Sequence, residues 1–87
     1  MNAIWFRVSG DVHGVGFRNY VLSIADSFGL VGEVWNTRDG AVEGRAQGAK
    51  LGMFISLLEK GPGCVQEVVS SDTITGDYKD FRITQTR

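Results

Sequence analysis

The sequence predicts an α+β sandwich, ordered β-α-β-β-α-β with an additional short C-terminal strand, its two helices on one face of a mainly antiparallel sheet. Three observations predict it. Several segments alternate apolar and polar residues, the period of a half-buried strand. Two others recur at three- and four-residue spacing, the period of a helix with one apolar stripe. Glycines and turn residues stand between these segments, where the chain must reverse.

The elements follow in order. In "AIWFRVSG" (3–10), Ile4, Phe6 and Val8 alternate with Trp5, Arg7 and Ser9, which reads as a strand. From Arg18 the period changes: Val21, Ile24, Ala25 and Phe28 form a helical stripe, and Gly29 stands where a left-handed C-terminal cap is wanted. "GEVWNTRDGAVEGRAQG" (32–48) reads as two strands turning at Arg38, Asp39 and Gly40, Asp-Gly being a hairpin signal through its positive φ. Leu51, Phe54, Ile55 and Leu58 make the second helical stripe, closed by "KGPG" (60–63). Residues 64–74 and 77–86 read as the last two strands, with "TGD" turning between them. Two helices, each with one apolar stripe, cover one face of one sheet, the split βαβ or ferredoxin-like arrangement.

At 87 residues the chain predicts one domain, 1–87, large enough to bury roughly 60–70% of its unfolded surface. Nine basic residues against ten acidic give a net charge of −1, without the basic excess of a nucleic-acid binder. No nucleic-acid partner is expected. No apolar run approaches the ~18–20 residues of a membrane span, so no membrane partner is expected either. Cys64 is the only cysteine, which forbids an internal disulfide and, with no signal-peptide pattern, predicts a cytoplasmic location. One cysteine and one histidine are too few for an all-protein zinc site, so no metal is expected. Nothing in the sequence calls for an oligomer; a monomer is expected.

"DVHGVGFRNY" (11–20) raises the functional question. Gly14 and Gly16 permit positive φ and let successive N–H groups converge into a concavity. The start of the following helix adds unpaired N–H groups and a partial positive charge, and Arg18 adds a planar cation. These ingredients suit a tetrahedral oxyanion, a terminal phosphoryl group above all, although tight turns also use glycines and an arginine can be simply solvated. A dinucleotide fingerprint is absent, because Asn19 stands where its third glycine belongs, and no P-loop run exists. The RNA-recognition signature matches Gly14, Gly16, Phe17 and Tyr20 but fails at His13, Val15 and Arg18, and sits in a loop instead of on a central strand.

Two linked motifs carry a resemblance. "VSGDVHGVGFR" (8–18) followed by "GLVGEVWNTRDGAVEG" (29–44) resembles the acylphosphatase family, in Gly10, Val12, Gly14, Val15, Gly16, Phe17 and Arg18 and then in Gly29, Leu30, Gly32, Val34, Asn36, Asp39, Gly40 and Val42. The likeness covers essentially the whole chain and weakens after Gly48. It implies an enzyme that hydrolyses the carboxyl–phosphate bond of a small-molecule acyl phosphate, with no cofactor. It implies that the backbone of Asp11, Val12, His13, Gly14, Val15, Gly16 and Phe17, with the Arg18 guanidinium, holds the phosphate, and that Asn36 orients the attacking water. Without it, Asn36 reads as a polar residue before a turn. Two departures from the family pattern are His13, where glutamine is common, and Glu33, where tryptophan is common; Glu33 should point away from the Asn36 face.

Other functions stay open at this point. A similar domain begins a large hydrogenase-maturation protein, whereas this chain starts at Met1 and ends after its last predicted strand, the expectation for a free-standing protein. A non-catalytic phosphate-binding or regulatory module would use the same loop without needing Asn36. An interaction domain would use Trp5 and Trp35, which otherwise cover the sheet face opposite Val8 and Val34.

Overall fold

A computed structural model describes residues 2–87. β1 (Asn2–Asp11), α1 (Phe17–Ser27), β2 (Val31–Asn36), β3 (Val42–Gly48), α2 (Leu51–Leu58), β4 (Cys64–Asp72) and β5 (Phe81–Ile83) follow the predicted order. They build one five-stranded sheet, β4-β1-β3-β2-β5. All pairings are antiparallel except β2 with β5.

Alternation decides which face is buried. Ile4, Phe6 and Val8 of β1, Val34 of β2, and Val42 and Ala46 of β3 join Phe17, Val21 and Ala25 of α1 and Phe54 and Leu58 of α2 in one buried cluster. Both helices therefore lie on the same side of the sheet. Gly44, register partner of Phe6, leaves the space the Phe6 ring fills; a Cβ there would meet Phe6 Cζ at 2.5 Å. Phe6 then meets Phe54 edge to face, centroids 5.4 Å apart, a favoured aromatic geometry.

Gly29 caps α1 as the pattern predicts. At φ 66° it lets the Leu30 N–H reach the Ala25 carbonyl at 2.9 Å and its own N–H reach Asp26 at 3.1 Å, the paired bonds of a Schellman motif. The hairpin differs in one respect: Gly40 alone takes positive φ (95°), and Asp39 does not. The Thr37 N–H donates to Ala41 O at 2.8 Å and the Gly40 N–H to Thr37 O at 3.3 Å, so the turn has three residues and needs only one left-handed position.

The C-terminal part corrects the sequence reading. The expected strand over 77–86 shrinks to Phe81–Ile83, and the one over 64–74 ends at Asp72. Long-range hydrogen bonds take the rest: buried Gln47 grips Gly76 through both its N–H and C=O, at 2.8 and 3.0 Å, and the Tyr78 hydroxyl donates to Glu33 at 2.8 Å. Beyond β5 the chain still follows β2, with Thr84 N–H donating to Val34 O and Arg87 N–H to Asn36 O, both at 2.9 Å.

Charges and tryptophans cover the opposite face. Arg7 donates to Asp39 at 2.6 Å and to Glu43 at 2.7 Å, and the Trp35 indole donates to Glu43 at 3.3 Å. Arg87 lies 3.8 Å over the Trp35 ring and donates to Glu33 at 2.7 Å. Trp35 is 4% exposed under this cover, whereas Trp5 is half-buried.

The Thr37 hydroxyl, and after it the Arg7 guanidinium, hold the Asp39 carboxyl at about 2, below its ordinary 3.8. A carboxylate depressed in the folded state contributes stability that is complete above the unfolded value and lost as pH falls through the folded one. The gap in melting temperature between the parent and Asp39→Asn is therefore expected to be constant near neutrality and to shrink between about pH 4 and about pH 2. Melting curves across that window check it; a gap unchanged near pH 2 would contradict the assignment.

Candidate active site

β1 ends at Asp11 and α1 begins at Phe17, so the glycine loop spans residues 12–16. Buried Val12 and Phe17 pin its two ends in the core. Gly14 and Gly16 take φ of 71° and 78°, and a Cβ at either would meet nothing within 4 Å. The backbone angle, not crowding, is what calls for glycine there.

Gly16 is also the N-cap of α1, and no side chain caps that end. No acidic residue occupies the first turn. The first N–H groups of the helix, orphaned by geometry, are left to face outward with their partial positive charge. Arg18 stands in this same first turn, half-exposed. A cation here is unfavourable for the helix itself. Its place makes physical sense when an anion completes the group.

Asn36 arrives from the other side of the sheet centre. It is the last residue of β2, half-buried, paired with Val42 and on the same face as Val34. Its carbonyl accepts from Arg87, so the main chain at this position is held on both sides.

Loop, arginine and asparagine meet at one cleft of about 130 Å³, lined by Val12, Gly14, Gly16, Phe17, Arg18, Asn19, Asn36 and Ile83. Six of the nine residues expected from the sequence thus share a wall. Asp11, His13 and Val15 do not line it. Asp11 is exposed at the end of β1, and Val15, 39% exposed, is on the loop's outside. His13 turns to the hairpin, its Nε2 2.7 Å from Ala41 O. Asn19 and Ile83 were not expected. Asn19 follows Arg18 in the helix and its position was the available signal; Ile83 reaches the cleft through the β5–β2 pairing, register partner of Val34.

Glu33 lies on the opposite face, as its alternation predicts, and accepts from Arg87 and Tyr78. Its charge is spent away from the cleft. A larger groove of about 690 Å³, lined in part by Asn2, Leu51, Gly52, Ser70, Asp72 and Thr73, lies at the other end of β1. Among the described residues no lysine or arginine lines it, so the smaller cleft is the better seat for an anion. Among the described residues, no three of His, Cys, Asp or Glu gather as metal donors, and no helix is long and apolar enough to cross a membrane.

Fold and cleft together define a class: a ferredoxin-like sandwich whose first β–α turn and second strand build a small polar site. Comparison with known proteins narrows it. The family model for acylphosphatase matches residues 4–83. The chain is 40% identical to an acylphosphatase of Leuconostoc mesenteroides, over 95% of this chain and 98% of that one. It is similar to the crystal structure of acylphosphatase from Bacillus subtilis, with a TM-score of 0.92 and 31% identity over 97% of this chain and 99% of that one. It is also similar to HypF of T. kodakarensis, with a TM-score of 0.83 and 29% identity over 97% of this chain, but over only 12% of HypF. The chain belongs to the acylphosphatase family and is an enzyme of that family.

Proposed function

We propose that the chain hydrolyses acyl phosphates to a carboxylate and inorganic phosphate, by attack of water on a phosphoryl group held in the 130 Å³ cleft. One observation carries the reading: an uncapped helix N-terminus, two left-handed glycines, Arg18 and Asn36 all border that cleft.

The loop N–H groups and the Arg18 guanidinium meet the phosphoryl oxygens, where charge spreads as the transition state loosens. The Asn36 carboxamide oxygen accepts one water hydrogen and aims the lone pair of the water at phosphorus. Asparagine is too weak a base to ionise water, and an acyl phosphate does not require it. The new P–O bond forms as the bond to the acyl oxygen breaks; the carboxylate leaves with that electron pair and the water proton passes to phosphate or solvent. Positioning and charge stabilisation supply the acceleration. The reading needs neither metal nor organic cofactor, and a monomer in the cytoplasm suffices; the lone cysteine, Cys64, is in keeping with such a reducing compartment.

Turnover of acetyl phosphate in ¹⁸O-water with excess chelator tests this. The expected result is hydrolysis with one labelled oxygen in inorganic phosphate. Label in acetate would overturn attack at phosphorus. A folded chain that binds inorganic phosphate but turns over no acyl phosphate would establish the non-catalytic binding module instead.

A further inference from the structure

We propose that His13 is a positioning residue that fixes the distance between the phosphate loop and Asn36; the proposal rests on the catalytic reading of Asn36 given above. The two halves of the site come from strands that do not touch. β1, which feeds the loop, and β2, which carries Asn36, are separated by β3. At the end of the sheet nearest the loop, Val42 bridges them, paired with Val8 on one side and Asn36 on the other. Ala41 immediately precedes Val42, and its carbonyl takes the His13 bond at 2.7 Å. The same oxygen accepts from the Thr37 N–H at 2.8 Å, and Thr37 follows Asn36 directly.

His13 thus ties the cradle to the hairpin base that sets Asn36. Among the described residues it makes the only side-chain hydrogen bond from loop 12–16 to any other part of the chain. Both anchor residues are fixed, Ala41 at 2% exposure and Thr37 at 6%. A carbonyl acceptor requires the N–H on Nε2, so that nitrogen is occupied as a donor. The role is that of a strut. Glutamine, also a side-chain donor of similar reach, can serve the same carbonyl.

The test is a kinetic cycle of parent, His13→Ala, Asn36→Ala and the double variant, each with a melting curve, plus His13→Gln. His13→Ala should lower kcat by roughly three- to tenfold, the range of one net hydrogen bond, with KM and inhibition by inorganic phosphate within about twofold of the parent. His13→Gln should restore kcat. In the Asn36→Ala background, His13→Ala should cost less than about twofold, because the geometry it protects is already gone. Equal losses in both backgrounds, or a loss confined to stability, would overturn the strut. An Asn36→Ala enzyme with the parent kcat would instead overturn the reading beneath it.

Discussion

Replacing Arg18 with alanine is expected to cut kcat/KM for an acyl phosphate by roughly 10²–10³, the cost of removing one strong oxyanion donor. Among the described residues the guanidinium is the only cation lining the cleft, and its planar fork offers several donors to one phosphoryl group. The fold should not suffer. Arg18 is half-exposed in the first turn of α1, where a cation opposes the helix dipole, so the melting temperature should hold or rise slightly. Arg18→Lys should recover part of the activity, since it restores charge without the fork. Steady-state kinetics beside thermal melts separate these effects. Loss of activity together with loss of folding would contradict a purely functional arginine, and so would activity within a few-fold of the parent.

Asn36→Ala is expected to lower kcat by about 10² while KM changes little, because the proposed contact of the side chain is to the water and not to the bound phosphate. β2 should survive. The bonds at this position are main-chain bonds, to Arg87 and within the pairing with Val42, and alanine keeps them. Asn36→Asp gives the complementary result: it retains an acceptor but brings negative charge beside the phosphate, so KM should rise as well. A KM effect without a kcat effect in Asn36→Ala would move this residue from water positioning to substrate binding.

The parts of the molecule legible in the sequence are those whose causes are local. β1, the two helices and the hairpin each carry their own period, and Gly29 marks the end of α1 because only a left-handed residue lets Leu30 and Gly29 bond back to the last carbonyls. The C-terminal region was less legible. Tyr78 looks like a strand residue by its spacing, but its hydroxyl is spent on Glu33, and Gly76 is held by Gln47, contacts about thirty or more residues apart in sequence. The site divides the same way. Gly14, Gly16 and Arg18 announce themselves as a loop entering a helix. Asn36 has no such local signature, and the role proposed for it rests on resemblance to a family. Ile83 reaches the cleft only through parallel pairing with β2, and the partner of His13 is a main-chain carbonyl, which no residue type encodes.

If the loop, Arg18 and Asn36 form one phosphoryl site, inorganic phosphate titrated into ¹⁵N-labelled protein should report on all three together. Saturable shifts are expected in the backbone amides of residues 14–18 and in the side-chain amide of Asn36, with the loop shifts strongly reduced in Arg18→Ala. Shifts confined to Leu51, Gly52 and residues 70–73, which line the larger groove at the opposite end of β1, would contradict it.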